Sequence, residues 1–351
     1  MNFSSEAIPG TEIQKDGKSY LYFGGTSYLG MQRDPEFLKL MSEGMRRLGT
    51  HWGASRVGNV TLPVYQRAEA ALASWMGSPA CLTLSSGFLA ARLVAEYFFR
   101  RHTCFFSPNC HEALLPPGST RQPDWESLAR TLETYLVQPG AGPPVVFTDS
   151  MGGPGRPGPV WDLLEELPKK CILVADDSHG IGISGPDGSG SWKALDAMGF
   201  KELVVCGSLG KAMGVTAGFA AGTAQRLAQL EKTPFFAGAS PAPPTGLSTL
   251  TKALESGMYQ KKWQRLNARV KFLQDRIGSL DLLMFQKAYP VLGFRNRRLA
   301  QFLLERNILI TDFEYPAEGD ALSYSRIVIT AAHQETQLQY LAAVLKEFRN
   351  S

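Results

Sequence analysis

The sequence predicts an α/β protein: a mostly parallel sheet covered by helices, followed by a smaller α+β unit. Three observations carry that prediction. Strand-like and helix-like segments alternate through the middle of the chain, which is the pattern of βαβ units. Two of the strand-like runs, Ile172-Leu173-Val174-Ala175 and Leu203-Val204-Val205-Cys206, are apolar without interruption, as strands buried on both faces are. Beyond a Pro-rich patch, Ser240-Pro241-Ala242-Pro243-Pro244, the alternation gives way to a long helical stretch and short strands.

Taken in order, Ala80 to Leu84 reads as a strand and Phe88 to Phe99 as a helix. Cys104-Phe105-Phe106 is a strand, as is Val145 to Thr148, and Val160 to Leu167 is a helix. The two central runs follow, then a short strand over Gly218 to Ala221 and a helix over Ala224 to Leu230. One helix is expected from about Thr245 to Ile277. Strands are expected at Val291 to Phe294, Ile308 to Thr311 and Ser325 to Thr330, with helices at Asn296 to Arg306 and Glu335 to Phe348. Gly140 to Pro144 and Gly152 to Pro159 are loops rather than linkers, because strand or helix signals resume at once. The expected division is a segment over 1–44 that packs with the small domain, a large domain over 45–240 and a small α+β domain over 241–351.

Composition narrows the function classes. A chain of 351 residues allows about two or three domains. Its 44% apolar and 19% charged content is that of an ordinary folded enzyme and excludes global disorder. The net charge of +4 comes without a Lys/Arg block, so neither nucleic acid nor a membrane surface is an expected partner. The five cysteines, Cys81, Cys104, Cys110, Cys171 and Cys206, have no CxxC spacing, which fits reduced thiols and no metal site. Met1 to Gly10 has neither a basic start nor an apolar core, and no apolar run approaches the ~20 residues of a membrane span. A cytoplasmic protein is the expectation.

The chemistry is concentrated at two strand ends. The first central run ends in Asp176, with His179 three residues on; the second ends in Gly207-Ser208-Leu209-Gly210-Lys211. Open α/β sheets place their ligands at the carboxyl ends of strands. An acid, an imidazole and a lysine brought together there suit pyridoxal phosphate, which takes a Lys Schiff base and an acid for its pyridine nitrogen. A buried Lys211 has its ammonium form disfavoured, which frees the amine to act as nucleophile and base. Asp177 beside Asp176 is equally acidic, and a helix cap or ion pair is the plainer reading of either. Ser85-Ser86-Gly87, between a strand and a helix, offers backbone N–H groups to a phosphate or a simple Ser N-cap. His111, after the Cys104-Phe105-Phe106 strand, is placed to stack on a ring or to be an ordinary loop histidine.

Two glycine motifs fail on context. Gly180-Ile181-Gly182-Ile183-Ser184-Gly185 matches a dinucleotide fingerprint, but Pro186-Asp187-Gly188-Ser189-Gly190 cannot open the helix it needs. Gly210-Lys211 lacks the Ser/Thr and the upstream glycine of a phosphate loop.

The ordered set of motifs resembles the α-oxoamine synthases. The matching stretches are Tyr28-Leu29-Gly30, Gly53-Ala54-Ser55-Arg56, Leu84-Ser85-Ser86-Gly87-Phe88 and Asn109-Cys110-His111. Asp176-Asp177-Ser178-His179-Gly180, Gly185-Pro186-Asp187-Gly188 and Ser208-Leu209-Gly210-Lys211-Ala212 follow, then Arg326 before Ile329-Thr330-Ala331-Ala332-His333. The resemblance covers nearly the whole chain. It implies fold type I of the pyridoxal-phosphate enzymes, with a mostly parallel seven-stranded sheet, and condensation of a small amino acid with an acyl-CoA or acyl-carrier thioester with decarboxylation. The members in view are those that form 8-amino-7-oxononanoate and 2-amino-3-ketobutyrate.

By that resemblance Lys211 forms the Schiff base, Asp176 holds the pyridine nitrogen, His179 bonds the phenolic oxygen and His111 stacks on the ring. Ser208 and the Ser86-Gly87-Phe88 turn serve the phosphate. Arg326 fixes the substrate carboxylate, and Thr26 stands at a substrate position where the family carries Asn. A homodimer with the site at its interface is implied as well. The chain departs from the family pattern at Ser27, at His51-Trp52, at Gly238-Ala239 and in the shortened Asp149-Ser150-Met151-Gly152. The changed mouth of the site keeps an aminotransferase, another fold type I activity or a non-catalytic cofactor-binding protein as alternatives.

Overall fold

The computed structural model describes residues 5–153, 155–278, 281–312 and 325–350. The chain divides into two compact units. The larger comprises Pro35–Met151 and Pro159–Tyr259; the smaller comprises Met1–Asp34, Gly152–Gly158 and Gln260–Ser351.

The larger unit is built on one sheet of six strands: β1 (Ala80–Leu84), β2 (Cys104–Phe106), β3 (Val145–Asp149), β4 (Ile172–Asp176), β5 (Glu202–Ser208) and β6 (Gly218–Gly222). Their order across the sheet is β1-β6-β5-β4-β3-β2. The pairs β2·β3, β3·β4 and β4·β5 are parallel, whereas β6 runs antiparallel to both β1 and β5. Five strands therefore point one way and β6 alone points back. A seventh strand, expected from the resemblance, is not part of this sheet among the described residues. The segment after β3 instead forms its own short ladder, Met151–Gly152 with Gly158–Pro159.

Every residue of β4 is buried, as are those of β6, which is what their continuous apolar or small-residue character dictates. The helix Gly87–Phe99 lies across β5 and β6. It joins Ala90, Ala91, Val94 and Phe98 to Leu82, Phe147, Val174, Val204 and Ala220 in one core.

The single helix expected between 245 and 277 is two, Pro244–Glu255 and Met258–Ile277. They part at Gly257, whose φ of +69° is a left-handed stop that glycine accepts without strain. The first of the two packs on Pro35–Leu48 and Pro63–Met76 and buries Leu247, Leu250 and Ala253 there. The residues after the Pro-rich patch thus stay with the larger unit up to Tyr259, and so do residues 35–44, because an apolar face goes where it is covered.

In the smaller unit, strands Glu12–Lys15 and Lys18–Phe23 form a hairpin. Its two-residue turn, Asp16-Gly17, has both φ values positive at 52° and 73°, the geometry that an Asp-Gly pair favours. Lys18–Phe23 then pairs in parallel with Ile308–Ile310, and Val291–Phe294 pairs with Ser325–Val328. His333 closes this arrangement. Its Nδ1 accepts the Thr330 N–H at 2.9 Å, and its Nε2 donates to the Tyr22 carbonyl at 3.0 Å. The ring stacks flat on Phe23, 4.3 Å between centroids.

Burial lowers the His333 pKa to about 4, against the pull of its hydrogen bonds to Tyr22 and Thr330. The unfolded imidazole takes a proton below pH ~6.5 and the folded one does not. The neutral ring's contribution is therefore complete above that pH and is lost as pH falls toward 4. Between pH 7 and pH 5 the loss amounts to about 2 kcal/mol. Denaturant titrations of wild type and His333→Gln at both pH values check it: the variant is expected to show a shallower fall. An equal fall in both assigns the acid sensitivity elsewhere.

Candidate active site

Because five strands of the sheet run in one direction, their carboxyl ends share one edge, and four of the five loops that leave it carry a residue singled out in the sequence. β1 leads into Ser86-Gly87-Phe88, β2 into His111, β4 into His179 and β5 into Lys211; Asp149 and Asp176 end β3 and β4. This is the edge at which open α/β sheets bind ligands.

Lys211 lies on the tight hairpin between β5 and β6. The hairpin is closed by Leu209 N–H donating to Ala217 O at 2.9 Å and Val215 N–H donating to Leu209 O at 3.0 Å. The Lys211 Nζ stands 3.0 Å from His179 Nε2. The lysine is half-buried rather than buried.

The two neighbouring acids part company. Asp176 sits at the site: its Oδ1 accepts the Ser178 N–H at 2.8 Å, and its charge acts on His111, Asp149 and Cys206. Asp177 turns away into the protein, where Ser150 and Ser191 hold it. Side chains of successive residues on an extended strand point to opposite faces, and that decides between two acids the sequence left equal.

Asp149 was not among the residues the sequence singled out for the site, yet it is Asp176's direct neighbour across β3 and β4. Burial, then the Asp176 charge, pushes its carboxyl well above the usual carboxylate range, so it keeps its proton where an exposed acid would lose it. The same carboxyl accepts the His111 N–H at 2.9 Å. Its signal in the sequence is its position: an acid ending a strand in a parallel sheet whose next strand also ends in an acid.

His111 is half-buried, and burial lowers its pKa against the pull of Asp176. Its Nδ1 accepts the Ala113 N–H at 3.1 Å, which leaves the proton of the neutral ring on Nε2 and fixes the plane of the imidazole. Cys110 and Cys206 are buried close by, and burial raises both thiols well above their ordinary value, so neither supplies a thiolate.

Ser86 caps the helix Gly87–Phe99 by accepting the Leu89 N–H at 3.1 Å. Capping and an anion-binding helix start are compatible here, since the cap takes one N–H and leaves those of the first residues directed outward. Gly87 is obligatory for close approach: a Cβ there stands 2.5 Å from the Ser208 Cβ, and one at Gly218 stands 2.1 Å from the Ser86 oxygen. Those two glycines draw Ser208 and the helix start together. Ser208 Oγ accepts the Gly210 N–H at 3.2 Å, while Phe88 is 57% exposed.

Arg326 and Thr26 belong to the smaller unit. Arg326 lies on the strand Ser325–Val328, bridged to Thr311, and its charge acts on Tyr22 and Tyr28. Its Nε–H is buried without a hydrogen-bond partner among the described residues, a donor in a place where an anion is welcome. Thr26 is half-buried just past the strand Lys18–Phe23.

The family model described as aminotransferase class I and II matches residues 159–345. The 8-amino-7-oxononanoate synthase of Stutzerimonas stutzeri is 30% identical over 370 residues, covering 96% of this chain and 90% of that protein. The chain belongs to the aminotransferase class I and II family, in its α-oxoamine synthase branch. The 8-amino-7-oxononanoate synthase of Nitrosococcus oceani is 28% identical, covering 96% of this chain and 93% of that protein. The solved structure of the Sphingomonas wittichii serine palmitoyltransferase superposes with a TM-score of 0.78 at 19% identity, covering 96% of this chain and 89% of its own. The fold is accordingly fold type I of the pyridoxal-phosphate-dependent transferases. Among the described residues no helix is long and apolar enough to cross a membrane.

Proposed function

We propose that this chain binds pyridoxal 5'-phosphate and condenses a small amino acid with an acyl thioester, releasing CO2 and the free thiol, in the manner of an 8-amino-7-oxononanoate synthase. The observation that carries the reading is the strand-end edge itself: Lys211 beside His179, Asp176 at the neighbouring strand end and a helix start packed closely on Ser208.

The donor set fits the cofactor. Gly87 and Gly218 let the helix start and Ser208 approach each other closely, and a helix start beside a hydroxyl suits a phosphate. Asp176 supplies a carboxylate for the pyridine nitrogen, His179 a donor for the phenolic oxygen and Lys211 an amine for the aldehyde carbon. Bound there, pyridoxal phosphate would supply an electron sink for charge that develops at the amino acid's α-carbon. Lys211 would hold the cofactor through its aldehyde carbon, and its amine would be the base for the amino acid's α-proton. The His111 ring, held by the Ala113 N–H, would stack on the cofactor ring without adding charge. By the resemblance, Arg326 would supply the bidentate cation for a substrate carboxylate.

The resemblance to dimeric enzymes and the exposed Val57, Val60 and Phe88 support a homodimer with the site at its interface. Sedimentation as a dimer is expected; a monomer that retains the cofactor overturns this part. Four buried cysteines and one half-buried one, none paired, support a cytoplasmic setting.

The test has two stages. Purified protein given pyridoxal phosphate should develop a visible absorption band, and borohydride should fix the cofactor on the peptide that contains Lys211. Loaded protein offered glycine, alanine or serine with acyl-CoA or acyl-carrier thioesters should then release thiol. Fixation elsewhere overturns the site. Fixation on Lys211 with keto-acid formation and no thiol release replaces the condensation with an aminotransferase reaction.

A further inference from the structure

Asp177 is a second buried carboxylate next to the site, and none of the chemistry above uses it. It is only 1% exposed, and a buried acid is retained only when its oxygens are well supplied with donors. Its Oδ1 accepts the Ser150 hydroxyl at 2.5 Å and the Ser191 hydroxyl at 2.6 Å, and its Oδ2 accepts the Ser191 N–H at 2.9 Å. Gly180 and Gly190 crowd it with hydrogens alone, since a Cβ on either stands 2.0 or 2.5 Å from its carboxylate oxygens. Burial raises its pKa to about 6, against the lowering effect of the Ser150 and Ser191 bonds.

These contacts join segments that are far apart in sequence. Ser150 immediately follows Asp149, whose carboxyl holds the His111 N–H. Ser191 closes the glycine-rich segment that follows His179. The Asp177 N–H donates to Cys206 O of β5 at 2.7 Å, and its carbonyl accepts the Gly180 and Ile181 N–H groups, both at 2.9 Å. The turn that carries His179 is therefore pinned at its first residue, by main chain and side chain together.

We infer that Asp177 is a positioning residue, whose carboxylate staples the end of β3 to the turn after β4 and so sets the spacing of Asp149, Asp176 and His179 around the cofactor. It touches no reacting atom and acts through its neighbours. The inference rests on the reading that this edge holds pyridoxal phosphate. A misplacement of about 1 Å at a reacting centre costs on the order of 10²-fold, so a staple of this kind has a functional reading beyond stability.

The experiment compares cofactor affinity and the visible circular dichroism of the bound cofactor in wild type, Asp177→Ala and Asp177→Asn, at a temperature where far-ultraviolet spectra show all three folded. The dichroism reports a fixed ring orientation, which loss of stability alone does not move. Asp177→Ala is expected to bind pyridoxal phosphate at least about tenfold more weakly, with a reduced dichroic signal per bound cofactor. Asp177→Asn keeps an acceptor for the two hydroxyls but sets its amide NH2 against the Ser191 N–H, and is expected to restore part of both. A lowered melting temperature with unchanged affinity and dichroism overturns the inference. Where Asp177→Ala does not fold, the Ser150→Ala/Ser191→Ala double variant removes two of the bonds and keeps the acid; unchanged readouts there overturn it equally. Borohydride fixation on Lys211 in wild type separates the two failures: without it the cofactor site falls, and with it only the staple does.

Discussion

Replacing Lys211 by alanine is expected to reduce turnover by at least about 10³-fold, since a positioned proton-transfer group contributes on the order of 10²–10⁴ and the covalent anchor is lost with it. The fold should be almost untouched. Lys211 is half-buried on a hairpin that backbone bonds through Leu209, Val215 and Ala217 help to close, and truncating a side chain outside the core typically costs within ~0.5 kcal/mol. The check is turnover and melting temperature on one preparation of each protein. Residual turnover above a tenth of wild type removes Lys211 from the mechanism, and a large fall in melting temperature makes it structural.

The largest stability effect is expected at Arg56. Its guanidinium forms a two-pronged pair with the Glu69 carboxylate, both side chains 11% exposed. The same carboxylate accepts the Thr83 N–H and hydroxyl, each at 2.8 Å, so it ties the helix Pro63–Met76 to β1. The guanidinium carbon also lies 4.5 Å from the centre of the Tyr65 ring. Arg56→Ala strands a buried carboxylate, and breaking such a pair from one side costs roughly 3–5 kcal/mol. Replacing both partners by methionine should cost less than either single truncation, because no charge is then left unpaired. Denaturant midpoints of the two single variants and the double variant decide it. If the singles and the double simply add, the pair is not coupled.

What the sequence made legible follows from how strongly local pattern constrains structure. β4 and β5 were plain because strands buried on both faces admit almost only apolar residues, and their carboxyl ends located Asp176, His179 and Lys211. The hairpin Glu12–Phe23 carried its signal in the turn, Asp16-Gly17 between two Lys residues, and not in any apolar run. The helix boundary at Gly257 depended on one residue's left-handed backbone within a stretch that is otherwise helical by composition. The site's remaining member, Asp149, depended on strand register, and the choice between Asp176 and Asp177 on side-chain direction. Neither is encoded locally. The extent of the larger unit depended on where Pro244–Glu255 finds a partner, which no window of sequence contains.

The smaller unit gathers its strands from opposite ends of the chain, and this has a consequence for the order of events during translation. The Gly25 N–H donates to the Thr311 hydroxyl oxygen across 286 residues. At about 5–20 residues per second, the Asp16-Gly17 hairpin leaves the ribosome roughly 15–60 seconds before the strand Ile308–Ile310 exists to lie beside it. Through that interval the larger unit has its whole sheet available, while the hairpin waits with one edge unclaimed. The exposed Glu12 and Lys18 on its strands are the kind of charge that keeps an open edge from recruiting a stranger. Assembly of this unit is thus a late, long-range event, and a nascent chain stalled before residue 308 presents a docked sheet and an unmatched hairpin.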